Sequence, residues 1–282
     1  MGLFRDLAYV NYPGGSSALP GCQEVSLECS GDEIEHSACD DLAIRYRGLT
    51  GLTCTADATI VGGLTLVRDV DAVKLGGTPI SNVTSITMTL TANELSDSSD
   101  ADSWLTYVGV TGRSVEAVVT TRCVDVLKGS SKFRPGCIGD LTVNGKGGAV
   151  SGCPGGGTNE GATDIAFGAT KLMVTSVQVT GTHGDFAEAV ITAKGTDSVD
   201  SFSGTSGIPM ASKPGKSDVF SFKVLDATDI GETTTTTGVT FTLENAVLME
   251  NTVTLTHGEM MENSFSVKAF STDGQTAPMT VS

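Results

Sequence analysis

The sequence holds one tryptophan and three histidines, its aromatic residues make up only 5%, and 17 basic residues face 33 acidic ones. The formal charge of −16 repels phosphate backbones, which argues against a sequence-reading nucleic-acid binder. Nowhere do about 18 apolar residues run together. The opening MGLFRDLAYVNYPGG lacks an apolar run of signal-peptide length, so neither a spanning helix nor export by that route is expected. No C-x-x-C pair, no G-x-S-x-G elbow and no phosphate-cradling G-x-x-x-x-G-K-[ST] occurs. With so few histidines and no nucleophile motif, the expectation is a non-enzyme without cofactor or metal.

Two weak constellations need weighing. Cys22, Cys29, His36 and Cys39 have zinc-ligand atom types, but their spacings do not match common structural zinc patterns. Asp97, Asp100 and Asp102 lack the glycine turn and closing glutamate of a calcium loop and read as a solvated loop. The seven cysteines form an odd, scattered set, for which reduced thiols are the default, with a disulfide retained for an oxidising exterior.

What is abundant is strand material. Thirty-five glycines, long threonine runs and many β-branched residues punctuate an all-β chain with little helix. Between Asn82 and Ala92, Ile86, Met88, Leu90 and Ala92 alternate with Thr87, Thr89 and Thr91, the pattern of a strand with one buried face. Ser114 to Leu127 carries apolar residues on both faces, as expected where a sheet also meets a partner. The glycine-rich stretch 128–164, with one short strand candidate at Leu141 to Val143, is long for a loop in a compact protein. Its Gly145, Gly147, Gly148, Gly152, Gly155, Gly156 and Gly157 are the candidates for an assembly contact.

An internal repeat appears when Asp164 to Lys194 is laid over Thr240 to Lys268. Phe167 meets Leu243, Leu172 meets Leu248 and Val177 meets Val253. After a two-residue gap at Gly181 and Thr182, His183-Gly184-Asp185 meets His257-Gly258-Glu259, and Lys194 meets Lys268. Parity of apolar and polar positions is kept throughout, which a one-residue slip would destroy. The two His-Gly-acid triplets read as equivalent hairpin turns with structural roles. Ser114 to Leu127 and Asp218 to Asp226 are candidate preceding strands, while 43–110 shows no twin. The expected organisation is an extended N-terminal arm (1–42), a first β domain (43–195) carrying the 128–164 insertion, a linker (196–217) and a second, shorter β unit (218–282).

The order GGTPISNVTSITMTLTANELSDSSDADSWLTYVGVTGRSVEAVVTTRCVDV resembles the tail tube proteins of long-tailed bacteriophages. GATKLMVTSVQVTGTHGDFAEAVITAKGTD and ENAVLMENTVTLTHGEMMENSFSVKAF resemble the closing strands of the same unit. The likeness covers about residues 43–282 and is one of pattern. It implies two β-sandwich or half-barrel tail-tube-like units per chain, in trimeric or hexameric rings stacked into a tube. Such a chain is a virion tail protein made in the host cytoplasm, with itself and other tail proteins as partners and DNA as transient, non-specific cargo. Alternatives are a baseplate, distal-tail or decoration protein of the virion, and a cell-surface β-sandwich module acting as an adhesin or carbohydrate binder.

Overall fold

The structure is a computed structural model that describes residues 4–13, 22–36, 46–61, 69–99, 101–128, 131–146, 165–195, 202–204, 213–226 and 238–282. Its strands are β1 (Phe4–Asn11), β2 (Cys22–His36), β3 (Tyr46–Val61), β4 (Asp69–Leu75), β5 (Thr78–Ile80), β6 (Val83–Asp97), β7 (Tyr107–Thr121) and β8 (Ile138–Lys146). They continue with β9 (Ile165–Thr180), β10 (Glu188–Gly195), β11 (Phe202–Gly204), β12 (Ser217–Asp226), β13 (Gly238–Thr256), β14 (Glu262–Ala269) and β15 (Met279–Val281). Helix among the described residues is confined to 3-10 turns at Val124–Leu127 and Ser131–Phe133. The protein is all-β, as its composition implied, and every ladder is antiparallel.

Alternation in sequence becomes alternation in burial. In β6, Ile86, Met88 and Leu90 are fully buried while the intervening threonines stay half-buried. In β14, Asn263, Phe265, Val267 and Ala269 point inward between polar neighbours. The main path of the sheet runs β2-β3-β14-β13-β6-β7-β10-β9-β8-β4-β5, and β1, β11, β12 and β15 branch from it. One apolar cluster gathers residues of β4 to β10 together with Val253 and Leu255 of β13, and a second gathers residues of β1, β3, β12, β14 and the earlier part of β13. Phe220 of β12 meets Phe265 of β14 edge-on at 6.2 Å, although these strands share no ladder, so the β12 branch folds over the face of the main sheet.

The ladders repeat in register. A shift of 74 positions carries Glu188↔Thr180 and Gly195↔Leu172 of β10–β9 onto Glu262↔Thr254 and Ala269↔Ala246 of β14–β13. The bulge opposite Thr192/Ala193 recurs opposite Ser266/Val267. Upstream, Gly139↔Leu172 and Leu141↔Ala169 of β8–β9 match Asp218↔Ala246 and Leu243↔Phe220 of β12–β13, with the same break between them. The short pairing Phe202↔Ala169 likewise matches Leu243↔Met279.

A shift of 61 carries the whole β2–β3 ladder, Cys22↔Ile60 to His36↔Tyr46, onto Val83↔Thr121 to Asp97↔Tyr107 of β6–β7, again with both bulges preserved. Backbone signs agree: φ is 59° and 54° at Gly51 and Gly112, 55° and 54° at Lys171 and Asn245, and 90° at both Gly136 and Gly215. The last pair lies in matching turns. Cys137 N–H donates to the Arg134 carbonyl at 3.0 Å, and Lys216 N–H donates to that of Lys213 at 3.3 Å. The break in β4–β8 between Val70 and Ala72 corresponds to that in β1–β12 between Leu7 and Tyr9.

These matches sort the strands differently from the expected domain division. One set is β1, β2, β3 and β12 to β15. The other is β4 and β6 to β11, and it sits between β3 and β12 in the chain. Residues 22–36, expected within an extended arm, form β2 and pair with β3 along its length. The counterpart of β12 is β8, within the expected 128–164 insertion, and not Ser114 to Leu127, which supplies β7 and a 3-10 turn. Residues 46–61, inside the stretch that showed no twin, are the counterpart of β7. The two-residue gap placed at Gly181 and Thr182 is absent from the registers, because the 74-residue shift holds through both strands and the turn. Parity survived that misplacement because a shift of two leaves every side chain on its face.

Candidate functional site

The two His-Gly-acid triplets occupy matching turns. Gly184 and Gly258 take φ of 86° and 79°, conformations that L side chains adopt only with strain. Asp185 N–H donates to the Thr182 carbonyl at 3.1 Å and Glu259 N–H to that of Thr256 at 3.2 Å. His257 also uses its main chain, donating its N–H to the Thr84 carbonyl at 2.8 Å. That bond continues the β13–β6 ladder past its last named pair, Thr256↔Ser85. A cleft of about 350 Å³ opens beside this turn, lined by Asn82, Val83, Thr84, Arg122, Phe186 and His257, with the Arg122 guanidinium 5.6 Å from the Phe186 ring centroid.

Of the glycine candidates, Gly145 lies buried in β8, paired with Val70 on one side and Ile165 on the other. Gly147, Gly148, Gly152, Gly155, Gly156 and Gly157 lie outside the described residues. Cys29 is disulfide-bonded to Cys54, its direct cross-strand partner, where reduced thiols were the default expectation. Cys22 lies seven residues away on the same strand, a span on the order of 20 Å in extended chain. Burial pushes its thiol up to about 11. No group of three or more potential metal ligands occurs among the described residues. Asp97 and Asp102 serve their own loop, accepting the N–H groups of Ser98 at 2.9 Å and Ser99 at 3.0 Å.

The feature with functional reach is the junction between the two strand sets. The C-terminal half of β13 pairs with β14 on one edge and with β6 on the other, Glu250↔Thr91 through Thr256↔Ser85. Inward-facing Val253, Leu255, Ile86, Met88 and Leu90 are all 0% exposed. On the opposite face threonines meet, with Thr252 and Thr89 hydroxyls 3.1 Å apart and Thr254 and Thr87 3.3 Å apart. The Lys268 ammonium reaches across β13 to the Glu94 carboxylate. This contact and the Ser96 hydroxyl draw the Glu94 pKa below its usual value, although burial, the largest single influence, opposes them.

The counterparts of the two joined edges are open among the described residues. The outer edge of β2 has no ladder partner among the described residues, and neither has β9 from Ser176 to Thr180 on the side away from β10. Val179, the counterpart of buried Val253, is 53% exposed. Val25 and Leu27, the counterparts of Ile86 and Met88, remain partly uncovered. The sequence marked Ile86, Met88 and Leu90 as inward-facing but could not identify their neighbour. It missed these edges because its alignment never reached β2. No protein-family model and no curated protein matches the chain.

Proposed function

We propose that the chain is a structural subunit of a virion tail, closing into rings by edge-to-edge strand pairing and stacking into a tube through which DNA passes. The observation that carries this reading is the β13–β6 junction: two strand sets with matching ladders continue one sheet, while the counterpart edges have no partner among the described residues. Long unpaired edges invite aggregation unless another strand covers them, and ring closure covers every one. Each chain then contributes two tail-tube-like units, the second inserted into the first.

The continuous sheet also offers a wall. Cross-strand partners share a face, so Glu28, Thr55, Lys268, Thr252, Thr89, Glu116 and Lys194 lie on one side, opposite the apolar clusters. Glu24, Asp57, Glu250 and Glu262 join that side. The two lysines are engaged, Lys194 with Glu116 at 2.8 Å and Lys268 with Glu94. A hydroxyl-rich, net acidic lining repels phosphate and lets a polyanion pass without adhering. The reading assigns no catalysis and no cofactor to the chain, and its partners are itself and other tail proteins.

Negative-stain electron microscopy of the purified chain tests it. Rings or stacked tubes support the tail reading; dispersed monomers that bind glycans favour the cell-surface module and overturn it.

A further inference from the structure

We infer that the open edge of β9 pairs with the open edge of β2 in a second copy of this chain, antiparallel and in one register: Ser176 opposite Ser30, Val177 opposite Cys29, Gln178 opposite Glu28, Val179 opposite Leu27 and Thr180 opposite Ser26. The inference rests on the ring-forming reading for its partner and adds which strands meet and how they are aligned.

The register follows from the junction already present within the chain. β13 corresponds to β9 by the 74-residue shift and β6 corresponds to β2 by the 61-residue shift. Val253↔Met88 in the β13–β6 ladder therefore maps to Val179 and Leu27, and Thr254↔Thr87 maps to Thr180 and Ser26. The His257 N–H bond to the Thr84 carbonyl maps to His183 N–H and the Gln23 carbonyl. Matching bulges on all four strands give the edges the same local twist as the pair that already fits.

Chemistry agrees at each face. Where Val253, Met88 and Ile86 are fully buried, the mapped positions on the inward side offer Val179, Leu27 and Val25, apolar side chains left partly or largely uncovered in the single chain; Leu255 maps to Gly181, and Val177, which takes the place of buried Asn251, is also partly uncovered. On the polar face the threonine pairs are replaced by Gln178 with Glu28 and Thr180 with Ser26, both able to hydrogen-bond across strands. The ion pair Lys268–Glu94 maps to Lys194 and Glu33 of the neighbouring copy. In the single chain these two are bound to Glu116 and Arg47, respectively. The contact is head-to-tail, so each copy keeps one edge for each neighbour, and a closed ring leaves neither strand open.

The test co-expresses a chain carrying Val179→Cys with one carrying Leu27→Cys, oxidises mildly and identifies the linked peptides by mass spectrometry. Only a bond between chains joins these two positions. A second pair, Val179→Cys with Val25→Cys, samples the register slipped by two. Dominant linkage of 179 to 27 is the expected result. Dominant linkage of 179 to 25 overturns the register, and linkage at neither position in particles that are visibly rings overturns the strand assignment while leaving the ring reading standing. Absence of any rings from the unmodified chain sinks the ring reading itself. As an independent readout, Val179→Pro removes an N–H that points to the open edge, since this position matches one bonded to β6 rather than β14. The variant is expected to keep the protomer's circular dichroism and lose ring formation; rings at wild-type yield would overturn the pairing.

Discussion

Val253 and Val179 occupy matching positions, yet one is 0% and the other 53% exposed, so the same truncation separates what holds the protomer from what joins protomers. Val253→Ala removes two buried methyl groups among Ile86, Met88 and Leu255. At ~0.8 kcal/mol per buried methylene-sized group the transfer loss is about 1.6 kcal/mol, and the cavity left behind raises it to roughly 2–3 kcal/mol. Val179→Ala deletes the same atoms from a surface still in water, where substitutions stay within about 0.5 kcal/mol. Both are measured by urea unfolding in the Val179→Pro background for the first and against dissociated protomers for the second, so that association does not contribute to the midpoint. The expected pattern is a clear drop in midpoint for Val253→Ala and none for Val179→Ala. In assembled particles Val179→Ala should instead raise the protomer concentration at which rings persist. Equal destabilisation of isolated protomers by both changes would refute the claim that the β9 edge is uncovered in the single chain.

Backbone sign gives a second contrast. Gly112→Ala forces a Cβ to within 2.7 Å of Asn93 Nδ2 at a φ of 54° and should cost at least ~1 kcal/mol, whereas Lys171→Gly, at a φ of 55°, should be neutral or stabilising by about 1 kcal/mol, both read from thermal midpoints. The Cys29–Cys54 bond closes a loop with a sequence separation of 25, which constrains the unfolded chain by about 3 kcal/mol, so dithiothreitol should lower the urea midpoint and a Cys29→Ser, Cys54→Ser variant should be insensitive to it. Asp273 accepts the Thr276 N–H at 2.7 Å and hydroxyl at 2.7 Å, the Gln275 N–H at 2.9 Å and the Ser271 hydroxyl at 2.8 Å, which hold its carboxyl far below the usual carboxylate range. Because the folded pKa is depressed, its stabilisation is complete above the unfolded value near ~3.9 and is lost as pH falls toward the folded one. Asp273→Asn should flatten the acid limb of stability against pH below about 4; an unchanged limb would count against the assignment.

How far the chain could be read without coordinates depends on which physical signal each feature leaves. Strand identity survives in local alternation, so Ile86, Met88 and Leu90 were legible, and so was the likeness of the two His-Gly-acid turns, where glycine meets a positive φ. The offset of the repeat was not fully legible. Alternation has a period of two, and a misalignment of two residues at Val177 and Val253 preserves every face, whereas the ladders place Val179 opposite that role. The turns at Pro135-Gly136 and Pro214-Gly215 carry the same signal as the histidine turns, but they fall in stretches whose composition reads as an insertion and a linker. β2 escaped because Glu24, Ser26 and Glu28 alternate with Val25, Leu27 and Cys29 in a segment dominated by its cysteines and acids.

Local sequence therefore determined that the chain is all-β, which side of β6 and of the repeated strands turns inward, where the two histidine turns fall and that a strand-turn-strand motif occurs twice. Those properties depend on neighbours a few residues apart, and hydrophobic spacing records them. Which strand lies beside which was decided only by tertiary structure: one strand set inserted within the other, β13 shared between β14 and β6, and β2 and β9 left at the margins. Backbone hydrogen bonds between strands are alike whatever side chains they carry, so pairing across a hundred residues or more leaves little trace in the order of amino acids. It becomes visible when the registers and their bulges are laid over one another.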